Sequence, residues 1–143
     1  MFYSYLEPFY ILRLKRGEEI IISLRNFVEK IKIPSGLLWG IGAMENVEIG
    51  YFDDIKKDYL KKKFNKSMEI LNLTGSISIL NNKPYIHIHC TISDEKLKCF
   101  GGHLFSGKIT ATAEIYIFKL KRKIYRIKDE NEPFYFFKLK GEL

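Results

Sequence analysis

The chain has 143 residues, and its 24 Lys and Arg against 17 Asp and Glu give a net charge of +7 at pH 7. Hydrophobic residues make up 46% and charged residues 29%, a composition that is typical of a globular domain and excludes a disordered chain. No apolar stretch reaches the roughly 18 residues that a membrane helix needs, so we expect no membrane partner.

The two cysteines, Cys90 and Cys99, are too few for a disulfide framework. The N-terminal residues also lack the basic and then apolar layout of a secretory signal. Reduced thiols are usual in the cytoplasm. These features predict a single cytoplasmic domain over residues 1–143.

The first predicted element is a strand over residues 9–15, and a helix follows it. Apolar residues recur at helical spacing between positions 20 and 31, and Glu18 and Glu19 fall in the expected first turn. Pro34-Ser35-Gly36 then ends the helical pattern.

Strand patterns dominate the rest of the chain. Residues 37–44 are apolar but contain Gly40 and Gly42, which predicts a buried strand that another backbone or a ligand approaches closely. Further strands are predicted over residues 47–51, 68–73, 76–80, 85–92, 108–118, 123–127 and 134–139. One early helix and many later strands predict an α+β fold, a single compact domain with a mostly antiparallel β-sheet.

All three histidines of the chain, His87, His89 and His103, lie within seventeen positions. His87 and His89 are two residues apart in a predicted strand, so their side chains point to the same face. His103 follows a Gly-Gly pair, where the backbone can bend and approach other groups closely. Three imidazoles with an open fourth position are a known zinc arrangement. We therefore expect these residues to hold a divalent metal, zinc above all, in preference to being ordinary hydrogen-bonded strand histidines.

The cysteines contribute less to this prediction. Cys90 should point away from the histidines and into the core, because it alternates with His89 along the strand. Cys99 lies in the predicted loop between the histidines and could approach them, but its spacing does not require this.

Two lysine-rich runs could contact phosphates, and the better interpretation is a solvated surface in which lysines protect strand edges. No helix-turn-helix, zinc-finger or RNA-binding signature accompanies them. The runs are Lys56, Lys57, Lys61, Lys62, Lys63 and Lys66, and then Lys119-Leu120-Lys121-Arg122-Lys123.

The chain resembles the plants-and-prokaryotes-conserved (PPC) domain family, as a stand-alone prokaryotic type without an AT-hook. The resemblance is clearest over residues 9–118 and rests on short motifs in a fixed order. They are Arg13-Leu14-Lys15-Arg16-Gly17-Glu18, Gly40-Ile41-Gly42-Ala43, Glu69-Ile70-Leu71 with Leu73-Thr74-Gly75, His87-Ile88-His89, and Gly101-Gly102-His103-Leu104 with Gly107.

The resemblance implies a PPC-like α+β fold, a homotrimer and histidines able to hold a metal ion. Plant members recruit partners through a Gly-Arg-Phe-Glu-Ile-Leu segment, and this chain has Lys66-Ser67-Met68-Glu69-Ile70-Leu71 there, so only the second half matches. Stand-alone prokaryotic members carry a DNA-binding label by analogy with the plant proteins.

Two functions follow from these observations. The first is a homotrimeric binding or regulatory module with a three-histidine metal site and, by family analogy, weak non-specific association with DNA. The alternative is a zinc-dependent metalloenzyme that acts on a small molecule, with Glu69 or Glu114 as the strand carboxylates to test as general base.

Overall fold

The computed structural model describes residues 1–130 and 132–141, and its main feature is a seven-stranded antiparallel sheet with a helix packed against it. The predicted fold class is confirmed. The elements are β1 (Phe2–Leu6), β2 (Phe9–Lys15), α1 (Ile20–Ile31), β3 (Ser35–Asp53), β4 (Asp58–Phe64), β5 (Met68–Leu80), β6 (Lys83–Ser93), β7 (Cys99–Leu120), β8 (Arg126–Lys128) and β9 (Tyr135–Phe137).

The long strands β3 and β7 close the sheet on itself. Its strand order is β1-β2-β7-β6-β5-β3-β4, and β3 also pairs with β7, so β7, β6, β5 and β3 form a closed ring. The two backbones come very close where they cross: a Cβ at Gly42 would lie 2.4 Å from the carbonyl oxygen of Thr112. This confirms the prediction that the glycines of residues 37–44 mark a close backbone approach.

The helix α1 covers one face of β6 and β7. Its buried residues Ile20, Leu24, Phe27 and Val28 join a core built from the inward faces of the strands. Glu19 is the N-cap, and its carboxylate accepts a hydrogen bond from the Ile22 N–H. Within the described residues, no helix combines the length and the apolar character needed to cross a membrane.

Several strands differ from the sequence prediction in their extent. The predicted strands 37–44 and 47–51 form one strand, β3, with a bulge around Asn46, which has a φ of 50°. β5 likewise joins two predicted strands, and β7 begins at Cys99, so the stretch predicted as a loop before His103 belongs to a strand. Helix α1 begins at Ile20, one residue after Glu19, because Glu19 caps it.

Two strands were absent from the prediction. β1 pairs with β2 at the edge of the sheet, and its five side chains are exposed, so it has no buried periodic face that a sequence pattern could reveal. β4 forms the other edge and contains Lys61, Lys62 and Lys63, which are depleted in ordinary strands but protect exposed edges.

Candidate metal centre

Strand β6 presents His87 and His89 on one face of the sheet. The residues between and beyond them, Ile88 and Cys90, are buried in the core on the opposite face. The alternation follows from the extended backbone, in which successive side chains point to opposite sides. The prediction that Cys90 is a core residue is therefore confirmed.

His103 comes from the adjacent strand β7, where it pairs directly with His89 in the antiparallel register. The preceding Gly102 allows β7 to lie against β3 at this point, because a Cβ there would lie 2.6 Å from the carbonyl oxygen of Gly50. Residues directly opposite each other in antiparallel strands project to the same face. The pairing thus brings the third imidazole to the two from β6.

The structure brings all three predicted residues together. The ring centroids lie 5.0 Å apart for His87 and His89, 5.0 Å for His87 and His103, and 5.4 Å for His89 and His103. One nitrogen from each ring can be chosen so that all three lie within 4.8 Å of one another. Tetrahedral zinc with bonds of about 2.0–2.1 Å holds its ligand atoms roughly 3.3 Å apart. Small side-chain rotations would bring one nitrogen atom of each ring close enough to bind a single ion.

Two of the three imidazoles, those of His87 and His103, are kept neutral by their surroundings. Burial, helped by the neighbouring His89 and Arg126, lowers the pKa of His87 to about 4. Burial together with His87, His89 and Lys61 lowers the pKa of His103 to about 4 as well. Only a neutral imidazole has a lone pair to give to a metal, so His87 and His103 are available as metal ligands at neutral pH.

The donor set also fits a metal ion. The buried Nδ1 atom of His103 has no hydrogen-bond partner among the described residues, which is unusual for a buried polar atom. Nitrogen donors alone favour zinc and related transition metals over magnesium or calcium, which prefer oxygen. The three residues therefore match a divalent transition metal in both chemistry and spacing.

The histidines lie in a pocket of about 470 Å³ with aromatic walls. Pockets for small molecules usually measure about 300–1,000 Å³. Besides the three histidines and Pro133, the described lining consists of Phe52, Tyr59, Tyr85, Phe105, Arg126, Phe134, Tyr135 and Phe136.

Arg126 is the positively charged residue of this pocket lining, and the sequence analysis did not identify it. Its Nη2 atom lies 3.4 Å from Nδ1 of His87, its Nε atom donates to the Ser78 hydroxyl at 2.8 Å, and Nη1 donates to the Tyr135 carbonyl oxygen at 2.6 Å. The guanidinium also lies over the rings of Tyr85 and Phe137. The sequence contains one sign of this C-terminal part of the site. Residues 134–137 form an aromatic run that is too apolar for an ordinary exposed tail.

The carboxylates proposed as general bases lie elsewhere. Glu69 and Glu114 line a different pocket, together with Ile41 and Leu71, and neither belongs to the lining of the histidine pocket. Cys99 is exposed at the start of β7, outside the histidine cluster. The placement of Glu69 and Glu114 therefore gives no support to either of them as a general base for chemistry at the histidines.

The lysines of β4 are partly neutralised by an acidic neighbour. Lys61 and Lys63 contact the two carboxylate oxygens of Glu48 at 3.1 Å and 3.2 Å, and Lys62 lies over the rings of Phe64 and Phe100. These interactions fit the interpretation of the run as a solvated strand edge.

Several known proteins are similar to this chain. Residues 5–121 match the family model of the Plants and Prokaryotes Conserved (PCC) domain. A curated relative, the bifunctional protein GlmU of Synechococcus sp. (strain JA-3-3Ab), is 30% identical over 110 residues, which is 76% of this chain. The chain spans only 16% of the length of that relative.

Three solved structures share both the fold and about a third of the residues. A plant- and prokaryote-conserved (PPC) protein of Pyrococcus horikoshii has a TM-score of 0.86 and 33% identity, covering 98% of this chain and 97% of its own. A metal-containing protein of Archaeoglobus fulgidus has a TM-score of 0.84 and 32% identity, covering 90% of this chain and 91% of its own. A Bacteroides thetaiotaomicron structure named "a putative DNA binding protein" has a TM-score of 0.91 and 30% identity, covering 94% of both chains.

The lowered pKa values predict how the metal-free protein responds to acid. His87 and His103 should titrate near pH 4 in the folded protein, against ~6.5 in an unfolded chain. Between these values the unfolded chain binds more protons, so the free energy of unfolding should fall as the pH drops from ~6.5 towards 4. NMR titration of the imidazoles and urea unfolding at several pH values measure both effects.

The double variant His87→Gln/His103→Gln is the control for this titration, because it removes both groups and should flatten the dependence of stability on pH in that window. Titration of both imidazoles near pH 6.5 in the folded wild type would contradict the account.

Proposed function

Because the chain belongs to the Plants and Prokaryotes Conserved (PCC) domain family, we propose that it is a homotrimeric binding module that holds one divalent metal ion on His87, His89 and His103. The observation that carries the proposal is the convergence of all the histidines of the chain at one point of a single sheet face. The metal-containing relative from Archaeoglobus fulgidus lends further support. We propose that the module comprises the whole chain and works in the cytoplasm, in keeping with its two free cysteines.

Zinc is the metal that we propose. Three neutral imidazoles suit its preference for nitrogen and for four-coordinate geometry, and they leave the fourth position to water or a ligand from the pocket. Bound there, zinc would polarise a ligand oxygen and lower the pKa of a bound water towards neutrality. His87, His89 and His103 would hold the ion, and the aromatic wall would limit the access of bulk water to it.

A zinc-dependent metalloenzyme acting on a small molecule is the second candidate, and the observation in its favour is the pocket of about 470 Å³ beside the histidines. No Asp or Glu lines that pocket in the part of the chain that the structure describes, so no carboxylate stands ready as a general base there. We therefore propose a binding module in preference to a metalloenzyme. Metal-dependent turnover of small ester substrates would favour the metalloenzyme instead.

The trimer is supported by an exposed apolar strip on the outer face of the sheet. The strip comprises Leu37, Trp39 and Ile41 of β3, Leu71 of β5 and Tyr116 of β7, of which Ile41 is 56% exposed. Trp39 and Tyr116 stack with their ring centroids 5.9 Å apart, so they present one flat surface. Contiguous apolar surface of this kind marks a site of association. A second copy of the chain is the partner that we propose for it.

DNA association is proposed as weak and indifferent to sequence. Its support is the net charge of +7 and the DNA-binding name of the Bacteroides thetaiotaomicron relative. Glu48 offsets two of the three lysines on β4, which reduces the positive charge that this edge can offer to phosphates. Lysine contacts phosphate as a point charge and does not read bases, so no sequence preference is expected.

The purified protein should carry close to one zinc ion per chain after zinc addition and removal of the excess. The double variant His87→Ala/His89→Ala should lose the ion, because one remaining imidazole cannot hold it tightly. Elemental analysis measures the ratio. The control Cys99→Ser alters an exposed potential ligand outside the cluster and should keep the metal. Full occupancy in the double variant would refute the site.

Light scattering at micromolar concentration should give three times the chain mass of 16.9 kDa. The variant Ile41→Asp should shift the population to monomers, because it would bury a charge in the proposed contact beside Glu69 and Glu114. The matched control Ile55→Asp changes a residue that is 96% exposed in the turn after β3 and should leave the trimer intact. A monomer or dimer of the wild type would contradict the proposal.

Fluorescence anisotropy with duplexes of unrelated sequence should give similar dissociation constants of ~10⁻⁴–10⁻⁶ M, which weaken steeply with salt. The triple variant Lys61→Glu/Lys62→Glu/Lys63→Glu should reduce this binding further, whereas His87→Ala should not alter it. A preferred sequence that resists moderate salt would show that the protein reads DNA, against this account.

A further inference from the structure

The histidine pocket contains positive charge, and no carboxylate belongs to its described lining. A divalent ion on the three imidazoles would bring two positive charges, and Arg126 adds a third on the adjoining wall. Among the residues that the structure describes, the lining contains no Asp or Glu. Since uncompensated charge in a partly enclosed site is costly, a negatively charged ligand would be strongly favoured there.

Arg126 is held in place by neutral groups. Its hydrogen bonds within the described residues go to the hydroxyl groups of Ser78 and Ser76 and the carbonyl oxygen of Tyr135, with His87 Nδ1 at 3.4 Å. Ser78 is itself completely buried, so this anchor is fixed within the sheet. A guanidinium oriented in this way, whose hydrogen bonds to other described residues all go to neutral groups, is prepared to bind a carboxylate or another oxyanion.

The other walls indicate the shape of the rest of the ligand. Phe52 and Phe134 meet edge to face with their ring centroids 4.3 Å apart, and Tyr59 and Phe105 do the same at 5.0 Å. Such ring pairs provide flat apolar surfaces against which another planar group can pack. They lie in the same pocket as Arg126 and the histidines.

We propose that this pocket binds a small organic anion with a flat apolar body, of the aryl carboxylate class. Its carboxylate lies between Arg126 and the metal held by the three histidines, and its ring packs against Phe52, Tyr59, Phe105 and Phe134. This inference rests on the proposed metal site and adds the chemical class of its ligand. It also assigns a role to the hairpin of β8 and β9, which supplies Arg126 and Tyr135.

Cobalt(II) in place of zinc gives a visible spectrum that responds to ligands at the metal, so the test needs no assay of activity. The cobalt-loaded protein is titrated with benzoate, with its neutral analogue benzamide and with acetate, which lacks the ring. We expect benzoate to change the spectrum with saturation and acetate to bind at least about tenfold more weakly. Benzamide should produce no change.

The variant Arg126→Gln should take up cobalt as the wild type does but bind benzoate at least about tenfold more weakly, because it loses a charge-assisted contact. The matched control Arg122→Gln removes an exposed arginine that does not line the pocket and should bind benzoate like the wild type. Thermal unfolding of each variant verifies the fold. If Arg126→Gln is unfolded, the comparison of benzoate with benzamide on the wild type decides alone.

The outcomes separate the two proposals. A wild type that binds no cobalt overturns the metal site and the inference with it. A cobalt-loaded wild type that responds equally to benzoate and benzamide, or not at all to benzoate, overturns the anion inference and leaves the metal site standing. Unchanged benzoate affinity in a folded Arg126→Gln variant would also overturn the anion inference and leave the metal site standing.

Discussion

The candidate site depends on the register between β6 and β7. His89 lies directly opposite His103, and Gly102 lies opposite the buried Cys90. Because side chains alternate, a slip of one residue would turn His103 towards the core and bring Gly102 or Leu104 to the site. The buried faces of both strands resist such a slip, since it would expose their apolar residues to water. The energy that holds the imidazoles together is therefore mostly that of the core.

The pocket combines two parts of the chain. The match to the family model ends at residue 121, and it includes the three histidines. Arg126 and the aromatic residues from 134 to 136 come from the segment beyond this match. In the proposed site, the family part of the chain binds the metal, and the C-terminal hairpin selects what reaches it. Such a division allows related chains to keep one metal site and bind different ligands.

Much of the fold could be predicted from the sequence because burial leaves a periodic pattern. The helical spacing before Pro34 and the alternation around His87 and His89 both correspond to real elements with one buried face. The same reasoning divided β3 in two, because the bulge at Asn46 interrupts the alternation as a turn would. It missed β1, whose side chains are all exposed.

The candidate site could be predicted only in part, because some of its residues are close in sequence and others are distant. His87, His89 and His103 are close in sequence and rare in the chain, so their clustering was visible. Arg126 lies 39 residues from His87 and reaches it only because the segment that leads into β8 pairs with the end of β5 at Ile79, beside Ser78. Glu69 and Glu114 looked suitable as strand carboxylates, but which pocket they line depends on how β3, β5 and β7 pair. Long-range pairing of this kind leaves no local signal.

X-ray absorption spectroscopy of the zinc-loaded protein would identify the residues that bind the ion, because it reports the atoms around the metal. Coordination by His87, His89 and His103 predicts a shell of nitrogen and oxygen neighbours at about 2.0–2.1 Å, with the outer-shell scattering of three imidazoles. Sulfur neighbours at about 2.3 Å would assign the metal to Cys90 or Cys99, and a shell without imidazole scattering would exclude His87, His89 and His103. Either result would contradict the three-histidine site.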